Sequence, residues 1–433
     1  MVRLENEQVL DVIGVGIGPF NLGLAALLDQ AKCKTLFFDL KSQFDWHPGM
    51  LLEGTTLQVP FLADLVTMVD PTSPYTYLNY LHEHRRLYHF YFYEKFHIPR
   101  TEYNHYCQWV AGQLPTLQFG AEVENIEQSA NGRYVVTVFE REQNRRSTYE
   151  ANHIVLGVGT KPYVPADFRP ILGERIFHSG DYLNRKEEVL NAGSVTVIGS
   201  GQSAAEIFYD LLKGQQEQGY ELSWFTRSKG FYPMEYSKLG LEHFSPDYTR
   251  YFYQLPKEKK KAVLQKQDLL YKGISFQTIA DIYDLLYERT VGGVKPKVHL
   301  QALTELVSLE AAGGAFDLLL HQTEQDKEKQ VKSEVVILAT GYRPAIPSCL
   351  DGIRDQLIWD EEGQLVIEEH YRVKQQKEGE HHLFVQNGEL HTHGVGAPDL
   401  GLGAQRNAAI VNQLIGEERY RTPAYNVFQQ FGL

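Results

Sequence analysis

An α/β protein with two separate nucleotide-binding units and a smaller substrate-binding region is the expectation, and three observations carry it. Val9-Leu-Asp-Val-Ile-Gly14 is a short, β-branched apolar run, followed by a glycine-rich turn, an amphipathic stretch at 21–30 and a second apolar run at 35–39. That order is a β-α-β unit. The pattern recurs at Val195-Thr-Val-Ile-Gly199, with a helical stretch at 203–213 and an apolar run at 221–226. The two copies lie too far apart to share one β-α-β unit, and a last buried strand is expected at 334–338. Two Rossmann-like dinucleotide-binding domains follow, the second inserted into a discontinuous first. The expected division is 1–170 with 335–433 for the first unit, including a C-terminal substrate-side segment. Residues 171–334 form the second, with 231–280 as a substrate or interface segment.

The remaining elements read in order. Residues 73–86 and 102–114 look helical and aromatic. Residues 132–150 alternate apolar and polar with a charged turn at 142–145, which predicts an antiparallel hairpin. Residues 154–157 read as another buried strand. The stretch 231–256 is aromatic and interrupted by Pro233 and Pro246, so an irregular, site-forming segment is expected. Residues 257–262 are strongly basic and read as a solvated helix face. A helix is expected at 405–415.

Composition narrows the function. The chain has 433 residues and a net charge of −13, which argues against a nucleic-acid binder. The charge is compatible with steering a cationic substrate, and also with simple solubility. Cys33, Cys107 and Cys349 are far apart and form no C-x-x-C pair, so neither a disulfide framework nor a thiol-redox centre is expected. Residues 1–9 carry mixed charges instead of a basic leader and an apolar run. No stretch approaches the roughly 20 apolar residues that cross a bilayer. No membrane partner is expected, and the expected home is the cytoplasm.

Gly14-Val-Gly16-Ile-Gly18-Pro19-Phe20 sits between a strand and a helix. The glycines allow a tight turn and a close backbone approach to a pyrophosphate, and the helix N-terminus adds positive potential. Asp39 ends the next strand, where a carboxylate can accept from ribose hydroxyls. The second turn, Gly199-Ser-Gly201-Gln202-Ser203-Ala204, has the G-x-G-x-x-A form. Its next strand ends in Arg227-Ser228 with no acid. A carboxylate would repel a 2′-phosphate, and Arg227 with Ser228 can bind one, so this site should prefer NADPH. A plain surface arginine is the alternative for Arg227. Two nucleotide sites imply a nicotinamide passing hydride to a flavin. Without a C-x-x-C pair, dioxygen is the leading oxidant of the reduced flavin.

The chain resembles the flavin-dependent N-hydroxylating monooxygenases of siderophore biosynthesis. The resemblance is carried by residues 11–22, by Trp46-His47-Pro-Gly-Met50, by 57–67 and 77–81, by 199–206 and by Ala339-Thr340-Gly341-Tyr342. It covers nearly the whole chain. It implies FAD and NADPH as cofactors and a small primary amine and dioxygen as substrates. It also implies a flavin hydroperoxide that hydroxylates the amine, and a homo-oligomer, tetramer or dimer. By the same resemblance, Trp46, His47, Met50 and Gln58 should line the flavin, with Gln58 near its reactive edge; core packing is the alternative for Trp46 and His47.

Two departures bear on the amine. Lysine and ornithine hydroxylases carry a lysine, pairing with the substrate carboxylate, where this chain has Ala63. A buried carboxylate without a cation is costly. Leu241-Glu242 stands where ornithine hydroxylases have an asparagine–glutamate pair. Asp399 falls where amino-acid hydroxylases usually have a neutral residue. The expectation is a diamine, cadaverine before putrescine, with Asp399 and Glu242 holding the distal ammonium. A turn-capping aspartate is the alternative for Asp399. L-lysine or L-ornithine hydroxylation remains an alternative, as does an NADPH oxidase or redox-sensing flavoprotein. The aromatic run around 75–93 reads as core or subunit interface ahead of a cation box.

Overall fold

Two sheets, one mixed and one parallel, each with a glycine turn at the carboxyl end of a central parallel strand, organise the chain. The computed structural model describes residues 9–433; the leader reading of residues 1–9 falls almost entirely outside them. The first sheet has seven strands. Leu10–Val15 lies between Thr35–Asp39 and Arg145–Leu156, parallel to both. Leu117–Phe119 extends one edge, and Tyr134–Glu140 with Ala121–Gln128 extends the other in antiparallel register. Leu383–Val385 adds a parallel strand beside Arg145–Leu156.

The expected hairpin arm and the expected strand at 154–157 are one strand, Arg145–Leu156. Its 12 residues are long enough for two pairings: the first half joins the hairpin and the second half pairs with Leu10–Val15.

Helix Pro19–Gln30 is buried on almost every face, with Leu22, Leu24, Ala26, Leu27 and Leu28 at 0% exposure. It packs against the sheet, helix Arg100–Ala111 and helix Gly403–Ile415. An all-apolar helix needs such cover.

The second sheet runs Val298–Gln301, Glu221–Phe225, Ser194–Ile198, Val335–Leu338, Ile176–His178, all parallel. This corrects the boundary at 335. Val335–Leu338 pairs with Ser194–Ile198 inside the second sheet, not the first. A short, wholly apolar run is compatible with any buried sheet, so sequence pattern could not assign it. The chain returns only beyond it, where Tyr342–Pro344 pairs with the outgoing Thr160–Pro162. The two connections between units are thus one antiparallel ribbon. A three-stranded meander, Thr304–Ala312, Ala315–Gln322 and Lys327–Ser333, is a further sheet that the sequence reading missed.

The segment 231–256 is less irregular than expected. Ser237 and Ser245 cap helices Lys238–Leu241 and Pro246–Gln254. Pro246 begins its helix because the first turn needs no intrahelical donor there. Helix Lys257–Lys266 has no buried residue, in keeping with a solvated basic face.

Candidate active site

The first cradle forms as Leu10–Val15 ends. Gly16 has φ +85°, and a Cβ there would stand 2.7 Å from the Gly157 carbonyl oxygen. Gly18 caps helix Pro19–Gln30 without a side-chain acceptor, and a Cβ on it would meet nothing within 4 Å. The first-turn N–H groups therefore face open space, as an anion site requires. Asp39 stands at this loop, where it accepts from the Ile17 amide (2.7 Å) and the Lys41 amide (2.9 Å). A carboxylate has about four acceptor sites, so a ribose hydroxyl can still be served.

Asn21 is a residue the sequence reading did not single out. Its Nδ2 donates to the Gly16 carbonyl (2.8 Å) and its Oδ1 accepts from Gln386 (2.8 Å). The available signal was one amide in an otherwise apolar helix start. Phe20 lies under the Arg406 guanidinium, 4.6 Å from its ring centre.

Arg406 is itself buried against Glu389, 2% and 0% exposed, with Nη1 and Oε1 3.0 Å apart. The pair is at ion-pair distance but off hydrogen-bond alignment, so its attraction is coulombic. Burial pushes the Glu389 carboxyl up and the Arg406 charge opposes it. Arg406 also donates to the Ala397 carbonyl (2.6 Å), which anchors the loop 394–402. Arg406→Leu strands a buried carboxylate and should cost about 3–5 kcal/mol of stability. A lowered urea midpoint would show it.

The second cradle repeats the first. Gly199 has φ +143°, and a Cβ there would strike the Ala339 carbonyl. Gly201 caps helix Gln202–Gln218, again facing open space. Ala204 is fully buried, and Ser203 is half-buried in the first turn. Ser200 and Ser228 hydroxyls meet at 2.8 Å. The Arg227 side chain is 79% exposed and lies 4.0 Å from Glu305. These hydroxyls and this guanidinium stand at the strand end, where they could donate to a phosphate.

Gln202 does not line this cradle with its side chain, contrary to expectation. Its Oε1 accepts from the Ser275 amide (2.6 Å), and its Nε2 donates to Glu206 (2.8 Å) and Thr278 (3.1 Å). The amide is fully used as a brace.

The two units meet between the cradles. Arg100, at the start of helix Arg100–Ala111, forms two bonds to Glu206 of the second glycine helix, at 2.7 and 2.8 Å. Burial raises the Glu206 carboxyl, and Arg100 with Gln202 pulls it back. Neither residue was singled out from sequence, because an ion pair 106 residues apart leaves no local pattern.

Trp46 meets Tyr103 and His47 edge-on at 5.2 and 5.1 Å. His47 is exposed yet crowded, as on the wall of a cleft, and it faces Tyr342 at 5.4 Å. Desolvation by those walls, then the charges of Arg100 and Lys41, push its imidazole down to about 4, so it is neutral near pH 7. Tyr342 in turn meets His178 at 5.0 Å. Thr340 donates to the Tyr163 carbonyl, and the Gly341 carbonyl bonds His178 Nε2 at 2.9 Å, securing the ribbon between units.

Met50 is a correction. It is 3% exposed and packs with Phe177 and Tyr182 in the core of the second sheet. The turn Pro48–Met50 tucks into that unit, where Gly49 abuts the Gly180 carbonyl. No face of the thioether is left for a cofactor.

Gln58 is half-buried, and its buried Nε2 has no partner among the described residues. An unmet buried donor costs about 1–3 kcal/mol. It stands in the segment whose backbone pairs with the approach to Arg100, through Leu57 N to Ile98 O (2.9 Å) and Arg100 N to Thr55 O (3.1 Å). An acceptor on a bound flavin would satisfy it. The open cradles, the braced Asp39 and this orphan donor all fit a flavin dinucleotide.

Ala63 is 6% exposed, and a Cβ on Gly401 would lie 3.8 Å from its methyl. The loop bearing Asp399 therefore covers Ala63. Asp399 does cap the turn Leu400–Leu402, accepting from the Gly401 amide at 2.8 Å. Burial pushes its carboxyl up to about 6, against the Gly401 amide, the Arg406 charge and the Leu402 amide. Tyr236, which sequence reasoning missed, feels the same surroundings. Burial pushes its hydroxyl up to about 12, with Arg100 opposing and Asp399 adding.

Glu242 is differently engaged than expected, and Leu241 precedes it at the end of helix Lys238–Leu241. Leu241 is 40% exposed. Glu242 accepts from Phe428 N, Gln429 N and Gln429 Nε2, each at 3.0 Å. Its carboxylate is engaged by residues 428 and 429. Among the described residues, no group of three or more His, Cys, Asp or Glu side chains is placed to hold a metal, and no helix is long and apolar enough to cross a membrane.

Two glycine cradles, one orphan amide and a shared cleft define an oxidoreductase that brings two dinucleotides together. Residues 8–344 match the model of the L-lysine 6-monooxygenase/L-ornithine 5-monooxygenase family, and the chain belongs to that family. It is 46% identical to the rhizobactin siderophore biosynthesis protein RhbE of Rhizobium meliloti, covering 98% of this chain and 95% of that protein. It is 45% identical to a putrescine N-hydroxylase of Shewanella oneidensis, covering 98% and 85%. The crystal structure of DfoA from Erwinia amylovora, a desferrioxamine-pathway cadaverine monooxygenase bound to FAD, is 42% identical. It superposes with a TM-score of 0.95 over 99% of each chain.

Proposed function

We propose that this enzyme uses FAD, NADPH and dioxygen to hydroxylate one terminal amine of an aliphatic diamine, as a step in hydroxamate siderophore biosynthesis. Cadaverine is the favoured substrate and putrescine the next. One observation carries the choice of amine: the loop that bears Asp399 lies over Ala63, an alanine with no charge to offer a carboxylate. The guanidinium that acts on Asp399, Arg406, is committed to Glu389 and to the Ala397 carbonyl. Such a pocket suits a second ammonium and disfavours a carboxylate.

We assign the first cradle, with Asp39 and Gln58, to FAD, and the second, with Ser200, Arg227 and Ser228, to NADPH. The FAD unit is residues 9–170 and 339–433, and the NADPH unit is 171–338. Bound FAD, reduced by NADPH, supplies the activation of dioxygen. Gln58 donates to the flavin, and neutral His47 lines the cleft without adding charge. Asp399 holds the distal ammonium and so aligns the other nitrogen.

Exposed rings on helix Leu87–Tyr93, with Tyr88, Tyr91 and Phe92 at 79%, 70% and 74% exposure, support a homo-oligomer. Cys33, Cys107 and Cys349 are unpaired among the described residues, in keeping with a reducing cytoplasm.

Hydroxylamine formed per NADPH consumed tests the activity. A ratio near one with cadaverine supports it, whereas NADPH consumption yielding only peroxide means an oxidase. Arg227→Ala should raise KM for NADPH about 10–150-fold, as loss of a charged hydrogen bond implies. KM for NADH should barely move, and initial rates with both cofactors check this.

A further inference from the structure

Two carboxylates grip the end of the chain. Asp247 accepts from Tyr425 N (2.9 Å), Asn426 N (2.9 Å) and Asn426 Nδ2 (2.8 Å). Glu242 accepts from Phe428 N, Gln429 N and Gln429 Nε2, each at 3.0 Å. Gln429 also donates to the Leu239 carbonyl. Phe431 then packs its ring on Tyr248 (4.9 Å), His243 (5.3 Å) and Tyr251 (6.3 Å). Donors from the tail hold both carboxyls below their usual range despite the burial that opposes them. Bonds to ionised acceptors are roughly twice as strong as neutral ones.

The gripped helix touches the loop that carries Asp399. Phe252 of helix Pro246–Gln254 is fully buried, and a Cβ on Gly394 would lie 2.9 Å from its ring. A Cβ on Gly396 would lie 3.4 Å from Thr249 Oγ1. The same helix meets His393 through Tyr253, at 5.2 Å. Contact therefore runs from the tail to the helix, and from the helix to the loop 394–402.

We propose that residues 425–431 are a strap that positions the substrate-side loop through helix Pro246–Gln254, and so sets affinity for the amine. This rests on the reading of that loop as the amine wall. The strap touches no reacting atom, and its residues are positioning residues. Glu242, expected from sequence to hold substrate, acts on the amine only through the tail.

The test compares three FAD-loaded proteins: the full chain, a chain ending at Arg421, and the milder Phe431→Ala, which carries the same test should the shortened chain not fold. Amide exchange in 394–402 and KM for cadaverine and for NADPH are measured on each. Both variants should speed exchange in the loop and raise KM for cadaverine about tenfold, within the usual couplings of about 5–150-fold. KM for NADPH should stay unchanged. A synthetic peptide of residues 422–433 should restore the shortened chain. Unchanged exchange in 394–402 overturns the strap and leaves the proposed function standing. Faster exchange with an unchanged KM for cadaverine removes the loop from the amine site, and the strap falls with it.

Discussion

Gly16→Val protein should purify without yellow colour and oxidise no NADPH. The site allows no side chain. Its φ of +85° is an outlier for a β-branched residue, and the new Cβ would stand 2.7 Å from the Gly157 carbonyl oxygen. Moving the turn would pull Gly16 from Asn21 and Ile17 from Asp39. The N–H groups of the helix start would no longer converge on a pyrophosphate. Misplacement by about 1 Å is enough to cost about a hundredfold in rate, and loss of the cofactor costs more. Gly18→Ala separates binding from folding. Its Cβ would meet no protein atom within 4 Å, so the melting temperature of the flavin-free protein should hold while flavin affinity falls. Absorbance at the flavin band, with thermal melts of apoprotein, checks both.

The second large effect falls on the amine. Asp399→Asn should raise KM for cadaverine about 10–150-fold, the worth of a charged hydrogen bond of about 1.5–3 kcal/mol. KM for NADPH should not change. Asparagine also caps a helical turn, so the loop geometry survives. The pH dependence has a defined sign. Burial pushes the Asp399 carboxyl up to about 6, and in the proposed role it would hold an ammonium only when ionised. In the native enzyme the pH profile of kcat/KM for the diamine should therefore carry a limb that climbs as pH rises through about 6. A bound ammonium favours the ionised form, so the same limb in kcat should lie at lower pH. Asp399→Asn should lack this limb. Small, equal changes in both Michaelis constants would remove Asp399 from the site.

The Gly16 turn was legible in the sequence, and the role proposed for Asp399 also starts there, for reasons that differ from those that hid the others. Gly16 stands in a turn whose strand, helix and acidic partner are contiguous, so local pattern defines its geometry. Asp399 followed from a departure at one position beside a second departure at Ala63. Local pattern failed where partners are distant. Arg100 and Glu206 meet across 106 residues. Glu242 resembled a substrate ligand until the chain end was seen to occupy it. Val335–Leu338 is apolar on both faces, which identifies a buried strand and not its sheet. Met50 sits in a segment that lines the cleft at His47 and leaves it three residues later.

Competition among cadaverine, putrescine, L-lysine and L-ornithine, at equal concentration with FAD-loaded enzyme and NADPH, decides between an acid-lined and a carboxylate-accepting pocket. N-hydroxycadaverine should dominate the products, with N-hydroxyputrescine second and the amino acids nearly untouched. Faster hydroxylation of lysine or ornithine than of either diamine would contradict the role given to Asp399 and Ala63.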